Sequence, residues 1–188
     1  EAMTSASITN LRITKPAVDI LVEQVEISTD IEASLSEKKF DVAILAVKSF
    51  DTKELVKSLQ GIKSALPPIL CLQNGVENEQ LIEKQLGKGS VIGGTITSAV
   101  ARTGLGDVRL EKLRGVGIET GTSLSERLLE VFNLAGLNAK GYPVRDDMKW
   151  SKMLTNLLVN ASAAILDWSP EKILNYPVTY RIEVLQLR

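Results

Sequence analysis

The 188-residue sequence contains no histidine. That excludes a Ser-His-Asp triad, a Cys-His pair and any His-ligated metal site built from this chain, and no metal centre is expected. Its one cysteine, Cys71, has no partner for an internal disulfide. Cys71 stands in the apolar run "PILCLQ", where it reads as a small buried hydrophobe, and a lone free thiol fits a reducing cytoplasm. Aromatic residues make up 4% of the chain, too few for a base-stacking platform, and the formal net charge of −1 gives no footprint for nucleic acid. The longest strongly apolar run, "VAILAV" at 42–47, is far shorter than the roughly 20 residues that cross a bilayer. Neither nucleic acid nor a membrane is an expected partner.

What is there reads as globular: 44% hydrophobic and 24% charged residues, with length for one domain or one and a half and for a sizeable core. The small polar opening "EAMTSASITNLR" predicts a mobile start, and "VDILVEQVEIST" alternates as a half-buried strand or hairpin does. "FDVAILAVK" (40–48) is nearly all apolar and predicts a central parallel strand buried on both faces. A helix follows, with Asp51 as N-cap, Glu54 three residues on, and Leu55, Val56, Leu59 and Ile62 as its apolar stripe. "PPILCLQNG" (67–75) predicts a second strand, "VENEQLIEKQLGKG" a helix ending at Gly87, and "SVIGGTITSAVA" a third strand.

Strand, helix, strand, helix, strand at this spacing is the pattern of an α/β domain with a parallel sheet. Ligands of such sheets sit beyond the carboxyl ends of the strands. Lys48-Ser49 and Asn74-Gly75 fall at two of those ends. Taken singly, Lys48 is also a snorkelling lysine and Asn74-Gly75 also a turn that needs positive φ.

After residue 105 the pattern changes. "LGDVRLEKLRGVGIET" predicts two short strands around a glycine turn, and a helix from about Ser123 leads to another short strand. Pro143 marks a break. "RDDMKWSKMLTNLLVNASAAILDWSP" predicts the longest helix, with Asp146 as cap and "SP" as stop, and another helix runs from about Val178. The expected boundary lies between a first domain over 1–144 and a helical one over 145–188.

On the long helix Lys152, Asn156 and Asn160 recur every four residues. A continuous helix would carry them as one winding polar stripe roughly 12 Å long, beside Leu154, Leu157, Leu158, Ala161 and Ile165. Asparagine is a mediocre helix former, so two at this spacing need a reason. One is structural: the amides cap loops or bond between helices. The other is a wall for a small polar ligand. There the lysine supplies a cation that holds a carboxylate or donates a proton, and the amides serve hydroxyl, carbonyl and carboxylate groups.

"AVKSFDT", "LQNGVENEQLI", "GGTITSAVARTGLGDVRL" and "KWSKMLTNLLVNASAAIL" resemble, in order and spacing, the ketopantoate reductase (2-dehydropantoate 2-reductase) family. The resemblance covers roughly residues 25–188. It implies a Rossmann-like parallel-sheet domain followed by an all-helical domain that contributes to substrate binding and dimerisation, with the active site between them. It also implies reduction of 2-dehydropantoate to pantoate with NADPH, in pantothenate and coenzyme A biosynthesis in the cytoplasm, by a possible homodimer. Lys152 is then the general acid at the ketone oxygen. Asn156, Asn160 and Asn74 bind substrate, and Lys48 and Asn74 contact the cofactor.

The sequence departs from the family at both ends. The first strand, G-x-G-x-x-G turn and helix are missing: "GKGSVIGG" has the wrong spacing and precedes a strand. The later part of the helical domain is missing too. The chain is therefore expected to be an internal piece of a longer protein, inactive alone. A reductase of another small 2-keto acid and a non-catalytic binding module remain the alternatives.

Overall fold

The computed structural model describes residues 10–15 and 19–187. Strands β1 (Leu11–Thr14) and β2 (Asp19–Val22) form an antiparallel pair, followed by helix α1 (Ile31–Glu37) and strand β3 (Ala43–Leu45). Then come α2 (Thr52–Ser58), β4 (Ile69–Cys71), α3 (Asn78–Leu86), β5 (Val91–Ile96) and β6 (Ala99–Arg102). Strands β7 (Asp107–Lys112) and β8 (Val116–Glu119), helix α4 (Ser123–Leu134) and strand β9 (Ala139–Tyr142) complete the strand-bearing part. The described residues from Arg145 onward form only helices: α5 (Arg145–Leu157), α6 (Asn160–Leu166), α7 (Pro170–Asn175) and α8 (Pro177–Gln186).

The main sheet has the order β3-β4-β5-β8-β9. Its first three strands are parallel, β8 runs antiparallel to β5, and β9 is parallel to β8. Period-two alternation on β4 divides the core between two faces. Ile69 and Cys71 pack with Leu45, Val56, Ile82 and Val91, on the side of α2 and α3. Leu70 packs with Ile92, Val116, Ile118 and Leu128, on the side of α4. Thr122 caps α4 through a reciprocal capping box with Ser125, at 3.1 Å in both directions.

The α/β class with parallel strands holds, and several local expectations are corrected. The apolar run at 40–48 yields only the three-residue β3, which is the edge of the main sheet. Ile44, whose side chain points to the face opposite Leu45, is 53% exposed at this edge. Asp51 makes no side-chain cap; a 3-10 turn, Ser49–Asp51, leads into α2. "SVIGGTITSAVA" is two strands, since β5 belongs to the main sheet and β6 to a four-stranded sheet of order β2-β1-β7-β6. Among the described residues of "VDILVEQVEIST" only Asp19–Val22 is strand, and it is exposed throughout. The polar opening at 1–9 lies outside the described residues, whereas Leu11 and Arg12, within the expected mobile start, belong to β1.

The longest helix is also corrected. It ends at Leu157, and α6 restarts at Asn160. Between them Val159 takes φ 71° and ψ −31°, with a hydrogen bond of 2.8 Å from the Asn160 N–H to the Leu158 carbonyl. That is a tight γ-turn centred on a β-branched residue in the left-handed region, a strained arrangement. The buried Glu183 of α8 holds it: Oε2 accepts from the Val159 N–H at 2.6 Å, and Oε1 accepts from the Ser162 hydroxyl. Asp146 lies inside the first turn of α5, and Val144 occupies the cap position. No described helix is long and apolar enough to cross a membrane.

Candidate functional site

Strands β3 and β4 are parallel and in register, Leu45 opposite Cys71. Their carboxyl ends therefore lie side by side, with Lys48 and Asn74 three residues beyond that pair. Both are exposed. Gln73, 4% exposed, ties the two ends together. Its amide nitrogen donates to the Val47 carbonyl at 2.7 Å and to Thr52 Oγ1 at 2.8 Å. Thr52 donates to Asn78 Oδ1 at 3.3 Å, and Asn78 Nδ2 donates to the Asn74 carbonyl at 2.8 Å. Gly75 then turns the chain at φ 104°. The peptides beside Lys48 and Asn74 are thus fixed by a buried polar ring.

Helix α5 reaches this ring from the face that carries α2 and α3. It comes close because the strands beneath are small there: a Cβ on Gly117 would lie 2.7 Å from Met148 Sδ, and one on Gly93 would lie 2.6 Å from Arg145 Cγ. Arg145 Nε pairs with Glu119 Oε2 at 2.9 Å, and a terminal nitrogen pairs with Glu83 Oε1 at 3.3 Å. One turn on, Lys149 is 2% exposed at its side chain and stands 2.6 Å from Oε1 of Glu79, whose side chain is fully buried. The Lys149 ammonium also donates to the Gln73 carbonyl at 3.0 Å. The approach to Glu79 is a close ion pair, and neither Glu79 oxygen takes part in a hydrogen bond of good geometry among the described residues.

At 100° per residue, Arg145, Met148, Lys149, Lys152 and Asn156 fall within an arc of about 100° on α5. Lys152 and Asn156 therefore continue the stripe that seats the helix, and both are half-buried. Among the described residues the Lys152 ammonium has no ion-pair partner. Burial, and then the positive charge of Arg114, hold its pKa below the ordinary lysine value. Arg114 lines a cavity of about 250 Å³ with Thr95, Thr97, Gly117, Lys140 and Tyr142. Neither this cavity nor those of similar size under α1 and on the small sheet is lined by any of the five site residues expected from the sequence.

The structure joins Lys48 and Asn74 through Gln73 and places Lys152 and Asn156 on the helix anchored there. It does not extend the stripe to Asn160, which is exposed and opens α6 beyond the γ-turn.

The family description "Ketopantoate reductase PanE/ApbA" matches residues 5–121. The chain belongs to this family. It is 32% identical over 149 residues to a 2-dehydropantoate 2-reductase of Pyrococcus horikoshii, covering 76% of this chain and 48% of that one. Among solved structures it is similar to a PanE/ApbA family ketopantoate reductase of Ralstonia eutropha, with 25% identity and a TM-score of 0.79, over 95% of this chain and 58% of that one. It also shares its fold with D-mandelate dehydrogenase solved with NADH and anilino(oxo)acetate, at TM-score 0.73 and 20% identity over 91% of this chain and 55% of that one. The chain spans about half the length of the curated relatives it matches.

Within this ketopantoate reductase fold, sequence reasoning missed Gln73, Thr52, Asn78, Glu79 and Lys149. Gln73 and Asn78 flank Asn74-Gly75 in the quoted motif, and Lys149 is three residues before Lys152. A buried hydrogen bond between residues 76 apart leaves no periodic signal that would have found it.

Proposed function

We propose that this chain is part of an oxidoreductase that reduces 2-dehydropantoate to pantoate with NADPH. Family membership supports the class of reaction. The observation that carries the reading is Lys152: a half-buried ammonium with no ion-pair partner among the described residues and a lowered pKa, on the helix anchored to the strand ends that bear Lys48 and Asn74.

In the proposed reaction Lys152 is the general acid. Hydride addition to the ketone carbon puts negative charge on its oxygen, and the ammonium stabilises that charge and then donates its proton. Partial burial strengthens this interaction by removing water. The alcohol leaves, and Lys152 recovers a proton from solvent. Asn156 and Asn160 line the substrate site, with Asn74 facing them from the sheet. For Asn160 this role requires α6 to lie against the cleft, since the γ-turn separates it from the α5 stripe.

The Lys48 ammonium and the Asn74 amide, exposed at adjoining carboxyl ends of parallel strands, form a donor set suited to phosphate, ribose hydroxyl or carboxamide oxygens. These two residues would hold one part of NADPH. When bound, the dihydronicotinamide supplies the hydride.

The proposed domain division is 1–144 for the cofactor-binding part and 145–188 for the helical part. Support comes from the change to helices alone among the described residues from Arg145 onward. A homodimer through the helical part is consistent with its exposed apolar side chains, such as Ile165 at 80% and Leu185 at 62%. A cytoplasmic setting, where NADPH is at hand and Cys71 stays a free thiol, completes the reading.

The test is turnover of 2-dehydropantoate with NADPH and with NADH by the full-length protein and its Lys152→Ala variant. A fall in kcat of about 10²- to 10⁴-fold is expected for the variant; wild-type turnover there would remove Lys152 as the acid. D-mandelate dehydrogenase shares the fold, so the fold does not choose the substrate side chain. A panel of 2-keto acids compared by kcat/KM decides between 2-dehydropantoate and another small 2-keto acid. Failure of the full-length protein to reduce any of them would favour a non-catalytic module.

A further inference from the structure

The ion pair of Lys149 and Glu79 has no role in the chemistry above, and packing does not require it. A buried ion pair replaced by apolar residues of similar volume commonly leaves a protein equally stable or more so. Here both side chains are withdrawn from water, at 2% and 0% exposure, and neither Glu79 oxygen makes a hydrogen bond of good geometry among the described residues. Glu79 sits in the first turn of α3, where the helix dipole favours a carboxylate. Its position fixes where the Lys149 ammonium rests, 2.6 Å from Oε1.

From there the ammonium reaches one further group. It donates at 3.0 Å to the carbonyl of Gln73, the residue before Asn74. The same Gln73 holds the Val47 carbonyl, next to Lys48, at 2.7 Å. On α5, Lys149 precedes Lys152 by three residues, so the two lie about 60° apart around the axis and about 4.5 Å apart along it. Fixing Lys149 therefore fixes the height and azimuth of Lys152 against the strand ends.

We propose that Lys149, held by Glu79, is a positioning residue for the reduction: it locks the Gln73-Asn74 peptide onto α5 so that Asn74 and Lys152 face one substrate. The proposal rests on the reductase reading above. Lys149 touches no reacting atom. It sets the distance between two groups that come from different elements, and a misplacement of about 1 Å in such a pair slows a reaction about 10²-fold.

The test separates positioning from folding. Lys149→Met alone leaves a buried, unpaired carboxylate and will lose stability whatever its role. The combined Lys149→Met and Glu79→Met variant removes both charges at similar volume and is expected to recover most of that loss and stay folded, falling short of the wild type because the buried Gln73 carbonyl is left without its donor. It still lacks the bond to the Gln73 carbonyl. In the full-length protein, assayed well below its unfolding midpoint, the double variant is therefore expected to keep its KM within a few-fold while kcat falls about 10²-fold. Its alkaline pH limb should not move, because burial and Arg114 still act on Lys152. Wild-type kcat in a stably folded double variant would overturn the proposal and leave the reductase reading intact. A double variant that loses kcat only in proportion to its folded fraction would also overturn it, in favour of a purely structural pair. A wild-type protein that reduces no 2-keto acid would overturn both.

Discussion

The junction between α5 and the sheet and the three helices that follow are built from similar residues and treat them in opposite ways. At the junction polar and charged side chains go inward: Gln73, Lys149 and Glu79 are each less than 5% exposed. In α6 to α8 apolar side chains face outward, as with Ile165, Val178 and Leu185 at 80%, 58% and 62%. The sheet supplies small residues beneath α5 and a ring of amides beside it, so a charge can be buried and still find partners. The later helices are short, and their buried points are few: Ile173, Thr179, Val159 and Glu183. The junction is complete within these residues, whereas the helices present surface suited to cover by another element.

The largest expected effect tests the junction directly. Lys149→Met should destabilise the chain by about 3–5 kcal/mol, the usual result of leaving a buried partner charge unpaired. Leu185→Lys, on an exposed position, should stay within about 0.5 kcal/mol in the same urea titration. Similar losses at both positions would erase the contrast. Next come the glycines. Gly117→Ala forces a Cβ to within 2.7 Å of Met148 Sδ and should cost about 1–3 kcal/mol by overpacking. Gly61→Ala meets no atom within 4 Å and should stabilise by about 0.4–1 kcal/mol through the unfolded chain. Thermal unfolding of the pair measures the difference.

Glu183→Met tests a buried anchor of the later helices. It leaves the Val159 N–H without its acceptor, for a loss of about 1–3 kcal/mol, and amide exchange at Val159 and Asn160 should accelerate. Unchanged protection there would mean that Glu183 does not hold the turn. The last effect is confined to alkaline pH and concerns Cys71, whose pKa is pushed up to about 12, first by burial and then by the Glu79 carboxylate. The folded state holds this proton more tightly than the unfolded chain, whose thiol titrates near 9.0. Its contribution to stability is therefore complete below that value and is lost as pH rises toward 12. Urea midpoints of wild type and Cys71→Ala should converge above pH 9.0; parallel curves would contradict the shift.

Local signals carried much of the fold. Gly87 ends α3 at φ 111°, as its place after a helical stripe suggests. The apolar run around Cys71 did mark a buried strand. The edge position of β3 and the division of 90–101 between two sheets were not legible, because strand order depends on pairings between distant residues. The α5 helix shows the same limit within one element. Its leucines and its spacing are helical through Leu166, yet Glu183, 24 residues beyond Val159, holds a turn that ends it early.

By itself the sequence determined the chemistry available: a chain without histidine, with Lys152 and its asparagines at helical spacing, and Lys48 and Asn74 after apolar runs. These follow from residue type and short-range periodicity, which a linear reading contains. Tertiary structure alone decided that Gln73 and Lys149 tie those segments together and that Asn160 stands beyond a break. Buried hydrogen bonds and ion pairs depend on which distant groups are excluded from water together, and that is settled only when the elements pack.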